Sequence, residues 1–311
     1  MATQVKSKRK VQLEAAVAGP LFMLSAALLF TLVNTLVKLL GPEYTVWSIG
    51  FYRFLGGAVM LLAVFRRHKN PYRGHNIRLL IIRGCTGCSA FICIVTAIRL
   101  LPVSTALIIF YSFPAFSAIC SFIIYKEHIG MLEIACITAV LIGVGILLNF
   151  QLEGGLLGQI IALVGAAFAG LTVTLIRSLR EKNGPVTIYL YFCTMGILVT
   201  APMFARHPIL PASPVEWGMV LGFIFASLTA QLLMNQGFFY CRGWEGGVLM
   251  SSEVIFTATV GIIFLGDPVS WRFWIGGLTI LISVIALNRL KSIGRNNLLA
   301  RDTKQDPGAK I

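Results

Sequence analysis

Three ionisable side chains stand out within the long apolar runs of this 311-residue chain: Lys38, Arg53 and Glu253. A charge at a helix centre in a bilayer costs about 2.5 to 3.5 kcal/mol on insertion scales, so each requires a partner or a task. Arg53 lies mid-run and can face a carboxylate or bond the backbone carbonyls of neighbouring segments. Lys38 sits near a run's end, where it can meet an anion or snorkel to the interface towards Glu43. Glu253, in Leu249-Met-Ser-Ser-Glu253, is the one acid well inside a run. A carboxyl group there can exchange a proton as its contact with water changes, bind an amine, or hydrogen-bond a neighbouring helix. Gln231 and Asn235, four apart, share one helix face with a polar character that the surrounding run lacks, and Gln236 follows them. Asn34, Tyr111 and Ser112 are the other polar residues that could line a common cavity with that face, or act as glue between helices. Of five tryptophans, Trp47, Trp217, Trp244, Trp271 and Trp274, most fall at run ends as interface anchors, and Trp244 is a candidate gate over the same cavity.

The elements that carry these residues are membrane spans. Only 12% of the residues are charged and 57% are hydrophobic, with mean hydropathy +0.83, where a soluble domain would have about a quarter charged. With about 20 apolar residues per span, ten spans fall near 17–39, 45–65, 78–100, 103–125, 130–149, 156–178, 185–205, 215–240, 246–265 and 271–290. The first follows a basic segment, as a signal peptide's apolar run would, but its length and the nine spans after it identify an uncleaved helix. Residues 1–16 are a cytoplasmic N-terminal segment. Residues 291–311 form a basic tail with little apolar content, expected to be disordered.

The spans divide into two sets of five. Pro114-Ala-Phe-Ser-Ala-Ile-Cys-Ser-Phe-Ile-Ile-Tyr-Lys-Glu127 matches Val254-Ile-Phe-Thr-Ala-Thr-Val-Gly-Ile-Ile-Phe-Leu-Gly-Asp267, and Thr35-Leu-Val-Lys38 matches Thr174-Leu-Ile-Arg177 at almost the same offset. Five is odd, so the second set enters the membrane from the opposite side. The fold expected is an all-α integral membrane protein of ten transmembrane helices, two inverted five-helix repeats (17–149 and 156–290) around a central cavity, as in alternating-access transporters.

Charge and cysteine usage exclude other classes. The net charge of +14 suggests an anionic partner, yet most of the 26 Lys and Arg fall on the side that keeps both termini in the cytoplasm, so topology accounts for them without nucleic acid. Seven cysteines, an odd number and all in or beside spans, give no disulfide framework. Cys85-Thr-Gly-Cys88 has the spacing of a redox or metal pair, but small residues on a membrane helix serve close packing, and His68, His75, His128 and His207 all lie in loops. No metal or cofactor is expected. No nucleophile, base and acid set and no phosphate loop is present in the sequence, which argues against an enzyme. Gly143, Gly145, Gly276 and Gly277 offer close-packing surfaces, including for a homodimer.

The chain resembles the drug/metabolite transporter superfamily, with the EamA-type domain present twice. The motifs that carry the resemblance are Phe30-Thr-Leu-Val-Asn-Thr-Leu-Val-Lys38, Phe51-Tyr-Arg-Phe-Leu55, Ser112-Phe-Pro-Ala-Phe116 through Lys126-Glu127, and Leu265-Gly-Asp267. The resemblance implies eight helices around a cavity, with the fifth and tenth packed outside, and transport of small metabolites, often outward. Arg83-Gly84 and Leu101-Pro-Val-Ser-Thr-Ala106 are similar to a branch that includes carriers related to nucleotide-sugar transporters and some S-adenosylmethionine carriers. Where the family often has a Glu-Pro pair, this chain has Glu253-Val254, so the ninth span lacks the kink point that Pro114 gives the fourth. A small polar or amphipathic metabolite is the expected substrate, with an amino acid or related zwitterion favoured by the mixed charge. Protons are a candidate coupling partner. An organic-anion or nucleotide-derivative carrier is the rival within the class, and a non-transporting receptor or assembly subunit the rival outside it. The expected location is a bacterial inner membrane, with lipid as the surrounding partner.

Overall fold

The computed structural model describes residues 2–41, 43–65, 70–101, 103–127, 129–147, 155–265 and 271–286 except 273 and 284. The expected tail 291–311 and Asp267 lie outside the described residues, as does the side chain of Lys38. Twelve helices follow in order among the described residues: α1 (Ala2–Leu40), α2 (Val46–Phe65), α3 (Ile77–Leu100), α4 (Val103–Phe110), α5 (Phe113–Tyr125), α6 (Met131–Leu147), α7 (Leu156–Arg180), α8 (Pro185–Arg206), α9 (Pro214–Gly237), α10 (Gly243–Met250), α11 (Ser252–Leu265) and α12 (Trp274–Ser283). Six of them, α1, α2, α3, α7, α8 and α9, are long and apolar enough to cross a membrane. The apolar segment Val17–Val37 of α1 and the limits of the other five fall within a few residues of the expected spans, while α1 itself begins at Ala2, ahead of its apolar segment. On α1, Leu21, Leu28, Leu32 and Leu39 form an exposed apolar stripe while Met23, Ala26 and Ala27 are fully buried. That is the two-faced pattern of a helix packed on protein along one side and facing lipid along the other.

The fourth and ninth expected spans are each interrupted. Between α4 and α5, Tyr111 and Ser112 form a turn, with Ser112 at φ −71° and ψ −7° and Pro114 in the first turn that follows. Pro114 has no N–H to donate to the Phe110 carbonyl, which accounts for the break. The ninth span breaks at Ser251, at φ −62° and ψ −14°, although no proline is present. Here the Ser251 hydroxyl donates to the Gly247 carbonyl at 3.2 Å, competing with the backbone ladder in the way that bends helices. The missing proline therefore does not leave this span unbroken.

Packing between helices follows the repeat. The most extensive pairs are α1 with α9 and α3 with α7, and exchanging the two sets of five converts one pair into the other. The pair α2 with α8 maps onto itself, while the fourth and ninth spans meet through unlike halves, α5 with α10. Within α2 and α8 the fit is reciprocal: a Cβ on Gly57 would lie 2.5 Å from the Tyr189 hydroxyl, and one on Gly196 would lie 2.3 Å from the Phe54 ring. On α6 and α12, Gly143 packs against the Gly276 carbonyl and Ile280, so these glycines are used within the chain.

Polar contacts tie the ends of the bundle together. At one end the Asn183 side chain accepts from the His75 backbone N–H at 2.7 Å, Tyr72 pairs with Thr194 at 3.0 Å, Arg177 forms an ion pair with Glu127, and Arg242 approaches Glu133 at 3.7 Å. At the other end, Tyr44 donates to Glu216 at 2.9 Å, Tyr52 to the Ile209 carbonyl at 2.7 Å, and Arg99 to the Tyr44 carbonyl at 3.2 Å. Burial and the bond to Glu216 push the Tyr44 hydroxyl up to about 12. The segments that meet at each end are those that two odd-numbered, oppositely inserted sets would bring together.

Two outcomes check this packing. In a background without the native cysteines, single cysteines at Asn70 and Lys182 are expected to react with an impermeant thiol reagent from one face of the membrane and a cysteine at Ala212 from the other; Asn70 and Lys182 on opposite faces would rule out the inverted arrangement. The Phe54 ring is fully enclosed, so Gly196→Ala is expected to cost about 1 to 3 kcal/mol, read as a lower midpoint of thermal unfolding that Phe54→Ala restores in part.

Candidate functional site

The two interruptions bring their polar residues together. Glu253, in the first turn of α11, accepts a hydrogen bond from the Asn34 side-chain amide of α1 at 2.8 Å. The Tyr111 hydroxyl, at the break between α4 and α5, reaches the same carboxylate. Below it, the Thr31 hydroxyl of α1 shares its proton between the Ala27 carbonyl at 3.2 Å and the Glu253 backbone carbonyl at 3.4 Å and lies 3.3 Å from the Thr257 hydroxyl, holding α11 beside α1. Asn34 is exposed and Glu253 half-buried, so this acid can be approached from outside the protein core.

Arg53 of α2 is 9% exposed and sits in an aromatic box, 5.7 Å from the centre of Phe30, 5.0 Å from Phe91 and 5.9 Å from Phe192. One guanidinium nitrogen donates to the Gln231 side-chain oxygen of α9 at 3.3 Å. Gln231 in turn donates to Asn235 at 3.5 Å, and Asn235 donates to the Pro185 carbonyl at 3.3 Å. The expected polar face of the eighth span is thus a chain of amides running from Arg53 to the start of α8. Arg53 and Glu253 lie within each other's electrostatic reach without forming an ion pair.

Other candidates fall elsewhere. Ser112 donates to the Ile109 carbonyl at 2.6 Å, which makes it part of the break itself. Gln236 accepts from Arg180 at 2.6 Å near the end of α9, apart from the amide chain. Trp244 is fully enclosed in the main apolar core, unlike the exposed Trp217, Trp271 and Trp274, so it is not an interface anchor. Cys85 is exposed and Cys88 buried, so the pair diverges from one face of α3. A recess of about 150 Å³ lies between His75-Asn76 and residues 178–183 and one of about 680 Å³ lies against residues 70–76, and neither is lined by Glu253 or Arg53.

One residue at the centre was not singled out from the sequence as a binding candidate. Arg83 of α3 is 1% exposed and lies 4.6 Å from the centre of the Phe192 ring, so two arginines lie against one ring. The sequence brought Arg83 forward only in the Arg83-Gly84 motif near the start of the third span. The signal was its apolar context in Ile81-Ile82-Arg83-Gly84 together with the helix start at Ile77, which leaves Arg83 nearly two turns inside.

The family model for the EamA-like transporter family matches residues 17–149 and 156–289. The chain belongs to the EamA-like transporter family. It is a multi-pass membrane protein of the drug/metabolite superfamily with that domain present twice. Two curated members, each described as "Pseudopaline exporter CntI" and from two strains of Pseudomonas aeruginosa, are 24% identical over 275 residues, spanning 88% of this chain and 97% of each relative. A solved crystal structure of another protein superposes with a TM-score of 0.75 at 17% identity, over 88% of this chain and 97% of that one, and so shares the fold. For this EamA-type chain, the geometry above joins elements of both matched regions at Glu253 and at Arg53.

Gln231 accepts a hydrogen bond from the buried Arg53 guanidinium, which also has the Tyr189 hydroxyl beside it. Gln231→Leu should therefore lower stability by about 1 to 3 kcal/mol, the cost of an unmet buried donor. In a double-mutant cycle on the purified protein, Arg53→Met is expected to remove most of that penalty, and additive effects would show that the contact carries no coupling.

Proposed function

We propose that this chain is a secondary transporter that exports a small polar metabolite with both amine and carboxylate groups, an amino acid or related zwitterion, by alternating access. The observation that carries the reading is the placement of Arg53 and Glu253. One comes from each repeat, and the two are coupled through space but not paired with each other. Opposite charges held apart in the middle of a bundle suit a ligand that bears the complementary pair. Asn34, Tyr111, Gln231 and Asn235 would supply neutral hydrogen bonds, and Lys38 a second cation near the end of α1.

The reading includes ten spans, five from residues 17–149 and five from 156–290 in opposite orientation, with both termini in the cytoplasm and residues 1–16 and 291–311 flanking them. Support comes from the matched ends of the bundle, where Asn183 meets His75 and Tyr52 meets Ile209. Outward transport across a bacterial inner membrane is supported by the curated relatives, which are described as exporters. The anionic rival keeps one specific observation in its favour, the second buried arginine.

Protons couple transport in this reading, with Glu253 as the group that exchanges them. Its carboxylate is the half-buried end of the charged pair, and a change of access at Asn34 alters its contact with water. Glu253→Gln mimics the protonated acid and keeps an acceptor for Asn34. In proteoliposomes loaded with a panel of amino acids, the parent is expected to show counterflow and accumulation driven by an imposed pH gradient. The Gln variant is expected to retain counterflow and lose the response to the gradient. A pH profile matching the parent would remove Glu253 from coupling, and absence of any solute movement in the parent would remove the transport reading.

A further inference from the structure

We propose that Arg83 and Arg53 together hold a carboxylate group of the transported solute, in a site built by α2, α3 and α8; the inference rests on the transport reading above and extends it to a residue that no comparison assigns. Both guanidinium groups are at least nine-tenths buried and lie over the same Phe192 ring, at 4.6 Å for Arg83 and 5.9 Å for Arg53. Arg83 leaves its Nε and Nη1 without a hydrogen-bond partner, and Arg53 leaves its Nε. The enclosed Tyr189 hydroxyl lies close to both cations. Among the described residues, neither arginine forms an ion pair.

An arginine that serves only to join helices uses its N–H groups on neighbouring carbonyls or carboxylates, and Arg83 does not. Stacking on one ring offsets only part of the desolvation of a guanidinium. The middle of the bundle therefore holds two like charges against one acid, Glu253, which already accepts from Asn34. A carboxylate restores the balance and matches the planar fork that each guanidinium presents. Gly84 allows this geometry: a Cβ there would lie 2.8 Å from Met195 and 3.0 Å from the Tyr191 carbonyl, so only glycine lets α3 approach α8 closely enough to seat Arg83 over Phe192.

The test uses the full chain, purified in detergent, with thermal unfolding followed against succinate, citrate and L-glutamate at constant ionic strength set with chloride. At least one of these carboxylates is expected to raise the midpoint of the parent protein. Arg83→Met, which removes an unpaired buried charge while keeping volume, is expected to melt at or above the parent without ligand and to bind that carboxylate at least about tenfold more weakly. A parent that no carboxylate stabilises overturns the site, as does an Arg83→Met protein with the parent's carboxylate affinity. If Arg83→Met melts lower or does not fold, Arg83→Lys decides: it keeps the charge and loses the fork, so a tenfold weaker response supports the site and an unchanged one overturns it. Counterflow in proteoliposomes separates this from the transport reading. Movement of solutes that carboxylates do not compete with leaves the transporter standing without the anion site, and carboxylate binding without movement leaves the site without transport.

Discussion

Inside a bilayer every backbone N–H and C=O must find its partner within the protein, so an apolar span can deviate from a helix only where other groups take over the lost bonds. Among the described residues the expected spans deviate at Tyr111-Ser112 and at Ser251, which stand at equivalent positions of the two repeats. In one the freed groups arise because Pro114 cannot donate, and in the other a serine hydroxyl takes a share of the Gly247 carbonyl. Both solutions occur where the two spans meet, and both place a polar side chain beside the break: Tyr111 in the first repeat and Glu253 in the second. The position of the acid is therefore a consequence of where the helices are allowed to give way. Thr31 then fixes it by holding the Glu253 backbone against α1.

The cations obey a different constraint. Arg53 sits within a continuous helix, where no backbone group is free to receive it, and its environment is built from aromatic faces and one amide. Cation–π contacts of this kind are worth about 0.5 to 2 kcal/mol each, against a desolvation cost of several kcal/mol for a buried ion. The Gln231 and Asn235 chain reduces the difference and orients the guanidinium, which is why a polar face persists on α9 in an otherwise apolar segment. Burial of the charge thus dictates the amides, and the amides dictate the register of α9 against α2 and α8.

Much of the fold could be read from the sequence because membrane insertion writes itself into hydropathy. Span limits near 46–65, 77–100, 156–180 and 185–206 follow from apolar runs bounded by charges, and the pairing of Thr35 with Thr174 announced the repeat. The break at Ser251 was not readable, because back-bonding by a serine leaves no compositional mark as a proline does. The depth of Arg83 was missed for a related reason: counting charges by side of the membrane assigns an arginine near a span's start to its mouth, while helix phase and the glycine beside it decide how far inside it lies. Trp244 shows the opposite error, since a tryptophan near a span end has the composition of an anchor yet is enclosed in the core. Glu253 with Asn34 was legible as two polar residues in distant spans, and only the packing of α1 against α11 could join them.

The repeat also shows how asymmetry arises within a near-symmetric frame. The offset that pairs Thr35 with Thr174 pairs Gly57 with Gly196 and Arg53 with Phe192, and the offset of the other matched segment pairs Glu253 with Phe113. At the two pairs that include Arg53 and Glu253, one repeat carries a charge and the other an aromatic ring. Arg53 stacks on its own counterpart, Phe192, so the axis relating the repeats runs between a cation and the face that receives it. A symmetric pair of arginines there would repel, and a symmetric pair of phenylalanines would offer no charge to a ligand. With the cation from the first repeat and the acid from the second, a ligand bridging them in the proposed transport reading is held by both halves at once. It would also be held in one orientation only, because rotation about the axis exchanges charge for ring. Under that reading the halves can rock about the ligand, as near-equivalent repeats allow, while the chemistry that distinguishes amine from carboxylate stays fixed in direction.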